Sequence, residues 1–198
     1  MKGFENYTWF NAPASSEIRS GDLWVKTGNR TDFWRGTFYD FWRDSGHFAF
    51  VAVEGDFSVE VTVDGRYETL YDQAGLMIRL SESHWIKAGT EFTDGAVCVS
   101  VVVTNDHSDW SIQRVALPPD GVRLRLTRHA EAIRVQYLRE ADQKWQLIRL
   151  AYLPPTSKAQ VGDVLLARAR GFRGAVPRFS DRSRDRPASS RLTIDDDR

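Results

Sequence analysis

Apolar residues in this chain recur with a period of two. Phe57, Val59, Val61 and Val63 alternate with Ser58, Glu60, Thr62 and Asp64; Ala74, Leu76, Ile78 and Leu80 alternate with Gln73, Gly75, Met77 and Arg79. Successive side chains of an extended strand point to opposite faces, so each run reads as a strand with one face toward a core. Leu124 and Leu126 alternate with Arg123, Arg125 and Thr127, and Ile133, Val135 and Tyr137 with Arg134 and Gln136. Ala96 to Thr104 is almost continuously β-branched and predicts a strand buried on both faces. Glu54-Gly55-Asp56, Asp64-Gly65, Ser81-Glu82-Ser83 and Asn105-Asp106 punctuate these runs with turn chemistry, and Leu153-Pro154-Pro155 closes a strand over Trp145 to Leu150. Helical periodicity is nearly absent. Short strands with turns at intervals of about eight to twelve residues predict an all-β fold, an antiparallel two-sheet β-sandwich of the jelly-roll kind.

The 198 residues suffice for one domain, and their 27 Lys+Arg exactly offset 27 Asp+Glu. A binder that works by neutralising phosphates carries a basic excess, so nucleic acid is not an expected partner. No apolar run approaches the roughly 20 residues of a membrane-spanning helix, and the first residues hold no signal-like apolar stretch. A cytoplasmic protein is expected, with no membrane partner. The lone Cys98, in a strand interior, reads as a packed thiol in a reducing compartment. His84, His107 and His129 lack metal-ligand spacing, so no metal is expected, and no phosphate-cradling Gly-rich loop is present, so no cofactor is expected.

Six blocks occur in one order: Thr31-Asp32-Phe33-Trp34-Arg35, Asp44-Ser45-Gly46-His47, Gly55-Asp56-Phe57, Tyr71-Asp72-Gln73-Ala74-Gly75-Leu76-Met77, Trp85-Ile86-Lys87-Ala88-Gly89-Thr90-Glu91 and Ser108-Asp109-Trp110-Ser111. With these the chain, from about Trp9 to Gly162, resembles the DUF1349 family, a domain of unknown function that includes proteins described as regulators of enolase. The family is similar in fold to concanavalin A-like lectins and glucanases. The resemblance implies a concanavalin A-like jelly roll and brings no known reaction.

The domain is expected over residues 1–164. Residues 165–198 form an Arg-rich, atypical C-terminal tail whose composition predicts disorder. Family members close with a strand reading roughly Cys-Ser-Pro, a gap, Gly-Phe, then Phe, any residue, Asp-Phe. Here Leu165-Leu166-Ala167-Arg168-Ala169-Arg170-Gly171 stands instead. Codons for Cys-Ser-Pro-Glu-Arg-Ala-Gly in a GC-rich gene, read one base out of register, spell that string, and the same shift restores Gly-Phe-Glu-Val-Arg-Phe-Pro-Asp-Phe through Asp181. The tail therefore reads as a frameshift product.

A concave sheet face of such a jelly roll suits sugars, which stack on aromatic rings and bond to polar groups. Trp85, Lys87, Gly89 and Glu91 share one side of a strand by period two, as do Gln73, Gly75, Met77 and Arg79 on the strand before. An aromatic, an ammonium and a carboxylate on one face predict a polar groove floored by Trp85, with Gln73, Lys87 and Glu91 as anchors; the alternative is a solvated salt-bridging face lidded by Trp85. Asp32, Trp34 and His47 either flank the groove mouth or serve as core and hydrogen-bonding residues. Trp110 reads as core, and Asp109 as a turn residue or a second carboxylate near Glu91. Arg123, Arg125 and Arg128 read as a solvated basic stripe.

The expected function is binding of a carbohydrate or polyol without catalysis. A glycan-cleaving hydrolase with Glu91 as its candidate catalytic carboxylate is the enzyme alternative, although the nearest acid, Asp94, lies at odd spacing and on the opposite face of a regular strand. A regulatory module that binds a metabolic enzyme through an apolar patch or sheet edge is the third.

Overall fold

The computed structural model describes residues 7–38, 40–116 and 118–166 and the strand backbones 172–175 and 178–180. Seventeen strands follow in chain order: β1 (Thr8–Phe10), β2 (Ser15–Arg19), β3 (Asp22–Lys26), β4 (Phe33–Arg35), β5 (Trp42–Asp44), β6 (His47–Glu54), β7 (Phe57–Gly65), β8 (Gln73–Arg79), β9 (His84–Thr93), β10 (Ala96–Asn105), β11 (His107–Arg114), β12 (Val122–His129), β13 (Ala132–Arg139), β14 (Lys144–Tyr152), β15 (Lys158–Leu166), β16 (Phe172–Ala175) and β17 (Arg178–Ser180). A seven-stranded sheet runs β1-β6-β15-β8-β9-β10-β11. An eight-stranded sheet runs β14-β13-β12-β7-β16-β3-β2, with β17 also on β7. All pairings are antiparallel, and β4 with β5 forms a separate hairpin. The expected all-β sandwich is the fold. No helix among the described residues is long and apolar enough to cross a membrane.

Alternation places the core. Leu76, Ile78, Ile86, Ala88, Val99 and Val101 project from the seven-stranded sheet onto Val59, Val61, Leu124, Leu126, Ile133 and Val135 of the other, all at most 3% exposed. The other face of the seven-stranded sheet carries a second, smaller core. Phe48, Met77, Trp85, Val102 and Val164 pack there under Phe33 of the hairpin. Burying each such side chain contributes roughly 1.5–3 kcal/mol.

The tail expectation covers two kinds of residue. β15 runs on to Leu166, and β16 and β17 pair with β7 within the stretch read as a tail. The remainder, 167–171, 176–177 and 181–198, lies outside the described residues.

One position works against the core. Asp163 sits on β15 between Val161 and Leu165, both inward-facing core residues, and its backbone pairs with Ala49 and Leu76. Its carboxylate lines a small cavity with Leu23, Val61, Val63 and Ala74, and neither oxygen has a hydrogen-bond partner. Alternation assigns this position to an apolar side chain.

Burial holds the Asp163 carboxyl well above the usual carboxylate range. The native state therefore binds the extra proton. That stability is complete below the unfolded carboxylate value and is lost as pH rises through the folded one. Asp163→Val is expected to relieve roughly 1–3 kcal/mol at neutral pH, raising Tm by about 2–12 °C for a chain of this length. Melting curves across pH check it: the gain should shrink in acid, and a Tm at or below wild type at pH 7 contradicts the reading.

Candidate functional site

The outer face of the seven-stranded sheet is a grid whose rows are set by register. Arg79 pairs with Trp85 and Trp85 with Thr104; Met77 with Lys87, Val102 and then Trp110; Gln73 with Glu91 and then Cys98. Between the Lys87 and Glu91 rows lie Gly75 and Gly89, directly paired. A Cβ on Gly89 would stand 2.2 Å from the Ala74 carbonyl oxygen, and one on Gly75 would stand 2.1 Å from that of Ala88, so this close approach admits only glycine. Trp85, Lys87, Glu91 and Gln73 thus share the one face that alternation assigned to them.

They do not line an open groove. Trp85 is 0% exposed, Lys87 4% and Glu91 3%. The expectation that Trp85 is a stacking platform is corrected: Phe33 lies edge-on against it at 6.1 Å between ring centroids, and its indole Nε1 donates to the Glu82 carbonyl at 3.0 Å. The cover is the segment from Gly28 to Gly46, which sequence distance hid from a strand-by-strand reading. Three ion pairs tether it, one of them Arg35 to Glu82 at 2.6 Å. Lys87 Nζ donates to Asp32 Oδ1 at 3.0 Å, and Arg79 makes two 2.8 Å bonds to the Asp44 carboxylate. Asp32 also accepts from the Phe33 backbone N–H at 2.7 Å, while its own carbonyl receives the N–H groups of Ser45 and Gly46. Asp32 is therefore an organiser of the cover. Trp34, half-buried beside the smaller core, donates its Nε1 to the Thr37 carbonyl at 2.7 Å.

His47 stands apart from this group. It precedes Phe48, an outer-face residue, and pairs with the inward Leu165, so it faces the opposite side. Its Nε2 accepts from the Gly28 N–H at 2.8 Å and its Nδ1 lies 2.5 Å from the Asn11 carbonyl oxygen. Those partners require the neutral tautomer with hydrogen on Nδ1, in a structural role.

The open end of the face is at Glu91. Gln73 Nε2 donates to its Oε1 at 3.0 Å, and Trp110 Nε1 donates to its Oε2 and to Ser100 Oγ, both at 3.1 Å. Trp110, read as core from sequence, is 39% exposed, and Tyr71, 40% exposed, meets it edge-on at 6.3 Å and 82°. Tyr71 holds a left-handed backbone, φ 70°, unusual for a bulky residue. Asp72 fixes that loop by accepting the Glu68 and Thr69 N–H groups on Oδ2. Burial pushes the Glu91 carboxyl above the usual range; the Lys87 ammonium and the bonds from Ser100 and Trp110 counteract this, and Asp32 adds to it.

This arrangement holds one protonatable carboxyl without a free partner acid. Asp109 is a strand residue on β11 and pairs with Arg149 at 2.9 Å; Asp32 is bound to Lys87; Asp94 is in the β9–β10 turn. The two-carboxylate machinery of glycoside hydrolysis does not assemble from them. Cys98 is buried, and burial raises its thiol pKa. Arg128 is not part of a solvated stripe: it is 3% exposed and donates to the Ala130 and Thr156 carbonyls, while Arg123 and Arg125 clasp Glu60. Among the described residues no group of three or more His, Cys, Asp or Glu could hold a metal ion. Trp110 and Tyr71 escaped the sequence reading because their meeting with Glu91 depends on the β9–β10–β11 register and on a loop, neither of which leaves a local signature.

Trp85→Ala is expected to cost about 3–5 kcal/mol through the cavity it leaves, and Trp110→Ala, on the exposed edge strand, about 1 kcal/mol. Urea unfolding of both variants checks the contrast; equal losses would contradict the division into cover and open end.

Residues 9–182 match the family described as "Protein of unknown function (DUF1349)". The chain is 41% identical over 186 residues to Regulation of enolase protein 1 of Saccharomyces cerevisiae, covering 93% of this chain and 92% of the yeast protein. Its structure is similar to that of a functionally unknown protein from Saccharomyces cerevisiae, with TM-score 0.80, 39% identity and coverage of 91% and 96% of the two chains. It is also similar to xylan β-1,4-xylosidase from Bacillus halodurans C-125, with TM-score 0.68 and 15% identity, over 91% of this chain but 38% of the enzyme. At that identity the xylosidase likeness is one of fold. The match along most of its length, together with the yeast relative, places this chain in the DUF1349 family.

Proposed function

We propose that this protein is a regulatory module acting on a metabolic enzyme by surface contact in the cytosol, with enolase the candidate target. The observation that carries this reading is the 41% identity, over nearly the whole of both chains, to a yeast protein named for regulation of enolase. The geometry supports contact over catalysis: the buried Arg79 and Lys87 are paired under the hairpin, and Glu91 has no free partner acid. The surface offers a place to dock. Among the described residues, edge strand β14 has one free side, and it exposes Leu147 (58%), Leu150 (65%) and Tyr152 (56%). A β-bulge opposite Val135 and Gln136 puts Leu147 and Leu150, three residues apart, against Gln136 and Arg134 on one face. Apolar side chains on an open sheet edge are a contact surface.

A second reading rests on the Glu91 corner. Exposed Trp110 and Tyr71 rings at a right angle, above a carboxylate and an amide, support a small polyhydroxylated ligand stacking there. This moves the expected carbohydrate site from Trp85 to Trp110.

Two measurements test these readings. Biolayer interferometry and activity assays with the enolase encoded in the same genome should show saturable association and altered turnover. Leu147→Asp/Leu150→Asp should weaken association about tenfold or more with Tm unchanged. No association and unchanged turnover would overturn the regulatory reading. On a glycan array, signal lost in Trp110→Ala supports the second reading, and a silent wild type overturns it.

A further inference from the structure

Glu91 is the buried acid of the outer face whose bonds come from neutral groups. Asp32 and Asp44 each have a cation, Lys87 and Arg79, at 3.0 and 2.8 Å. Glu91 has the Gln73 amide on one oxygen and the Trp110 indole on the other, and among the described residues it makes no salt bridge. The charged groups around it do not fill the gap: Lys87, two positions beyond Gly89 on the same strand, is committed to Asp32, and the Arg114 guanidinium, at the end of the same row, donates to the Asp94 carbonyl. A carboxylate has about four acceptor positions, and the neutral Gln73, Trp110 and Ser100 groups use three of these.

The surroundings match a cation. Trp110, whose indole N–H holds the carboxylate, and Tyr71, edge-on to Trp110, are 39% and 40% exposed. Aromatic faces attract ammonium groups, and a charge-assisted bond to a carboxylate is about twice as strong as a neutral one. The part-exposed Gly89 leaves the floor beside Glu91 without a side chain. Tyr71 is held at this corner in a left-handed conformation that its loop enforces through Asp72, the kind of strain found where a side chain must be presented in one direction.

We propose that the Trp110–Tyr71–Glu91 corner selects a ligand bearing an ammonium group, such as an amino sugar, over its neutral hydroxyl counterpart. The ammonium replaces the missing counter-ion of Glu91 while the ring carbons of the ligand lie against Trp110. This deepens the polyhydroxylated-ligand reading and rests on it.

Three tetrasaccharides with the same β-1,4 backbone test the proposal by isothermal titration with the full chain: the 2-hydroxyl form (cellotetraose), the 2-amino form and the 2-acetamido form, at mildly acidic pH where the amines carry their protons. The 2-amino form is expected to bind about tenfold tighter than the other two, the difference between a charge-assisted and a neutral hydrogen bond. Glu91→Gln keeps the shape and one of the two acceptor oxygens but removes the charge, and should bring the three ligands to within about threefold of one another. Equal wild-type affinities, or an amine preference that survives in Glu91→Gln, overturn the proposal and leave the polyhydroxylated-ligand reading intact. No binding of any of the three overturns both. The wild-type comparison stands even if the Glu91 variant fails to fold.

Discussion

Phe33 lies edge-on against Trp85, with Lys87 reaching Asp32 on one side and Arg79 reaching Asp44 on the other. This clamp decides what the outer face of the seven-stranded sheet is. Desolvating a lysine and an arginine costs several kcal/mol each, which only a well-placed partner offsets. Arg79 gains two parallel bonds to a carboxylate and lies 4.6 Å from the Phe10 ring centroid; Lys87 gains Asp32 and lies 5.9 Å from that of Trp85. The ions specify where the hairpin sits, and the rings beneath supply the burial that holds it there. A sheet that would otherwise present an apolar strip to solvent becomes closed over most of its width.

Closure at one end leaves the other end exposed. Past the Gly75–Gly89 pair, the polar row of Gln73 and Glu91 is bordered by Trp110 from an edge strand, which bonds to Glu91, and by Tyr71 from a loop, edge-on to Trp110. That row gathers one acid raised in pKa by burial, neutral donors, and two aromatic rings. Likeness of fold to a xylosidase does not alter this, because a sandwich carries whatever its faces and edges are furnished with.

Period-two alternation was enough to find the strands and to put Trp85, Lys87, Glu91 and Gln73 on one face, because side-chain direction along a strand is a local property. Whether that face met solvent was not local. Phe33 and Asp32 are more than fifty positions from Trp85 and Lys87, and nothing in the Trp85–Glu91 segment records that they will cover it. His47 shows the same limit at the scale of one residue: a block of aromatics and acids suggested a site, but one step of alternation turned the ring to the other side, where two backbone groups use both nitrogens. Arg128 likewise differs from Arg123 and Arg125 by odd spacing, and so left the solvated face for buried carbonyls.

The sequence by itself determined the fold class and which side chains stand together along each strand, since these follow from turn chemistry and from a period that every strand obeys, while its six ordered blocks carried the family resemblance. Only the tertiary structure decided which of those groups are sealed, which acid lacks a counter-ion and which indole faces water. Those outcomes depend on register between strands and on a hairpin folding back over the sheet, contacts between residues far apart in the chain that are stabilised by burial and ion pairing rather than by any local preference.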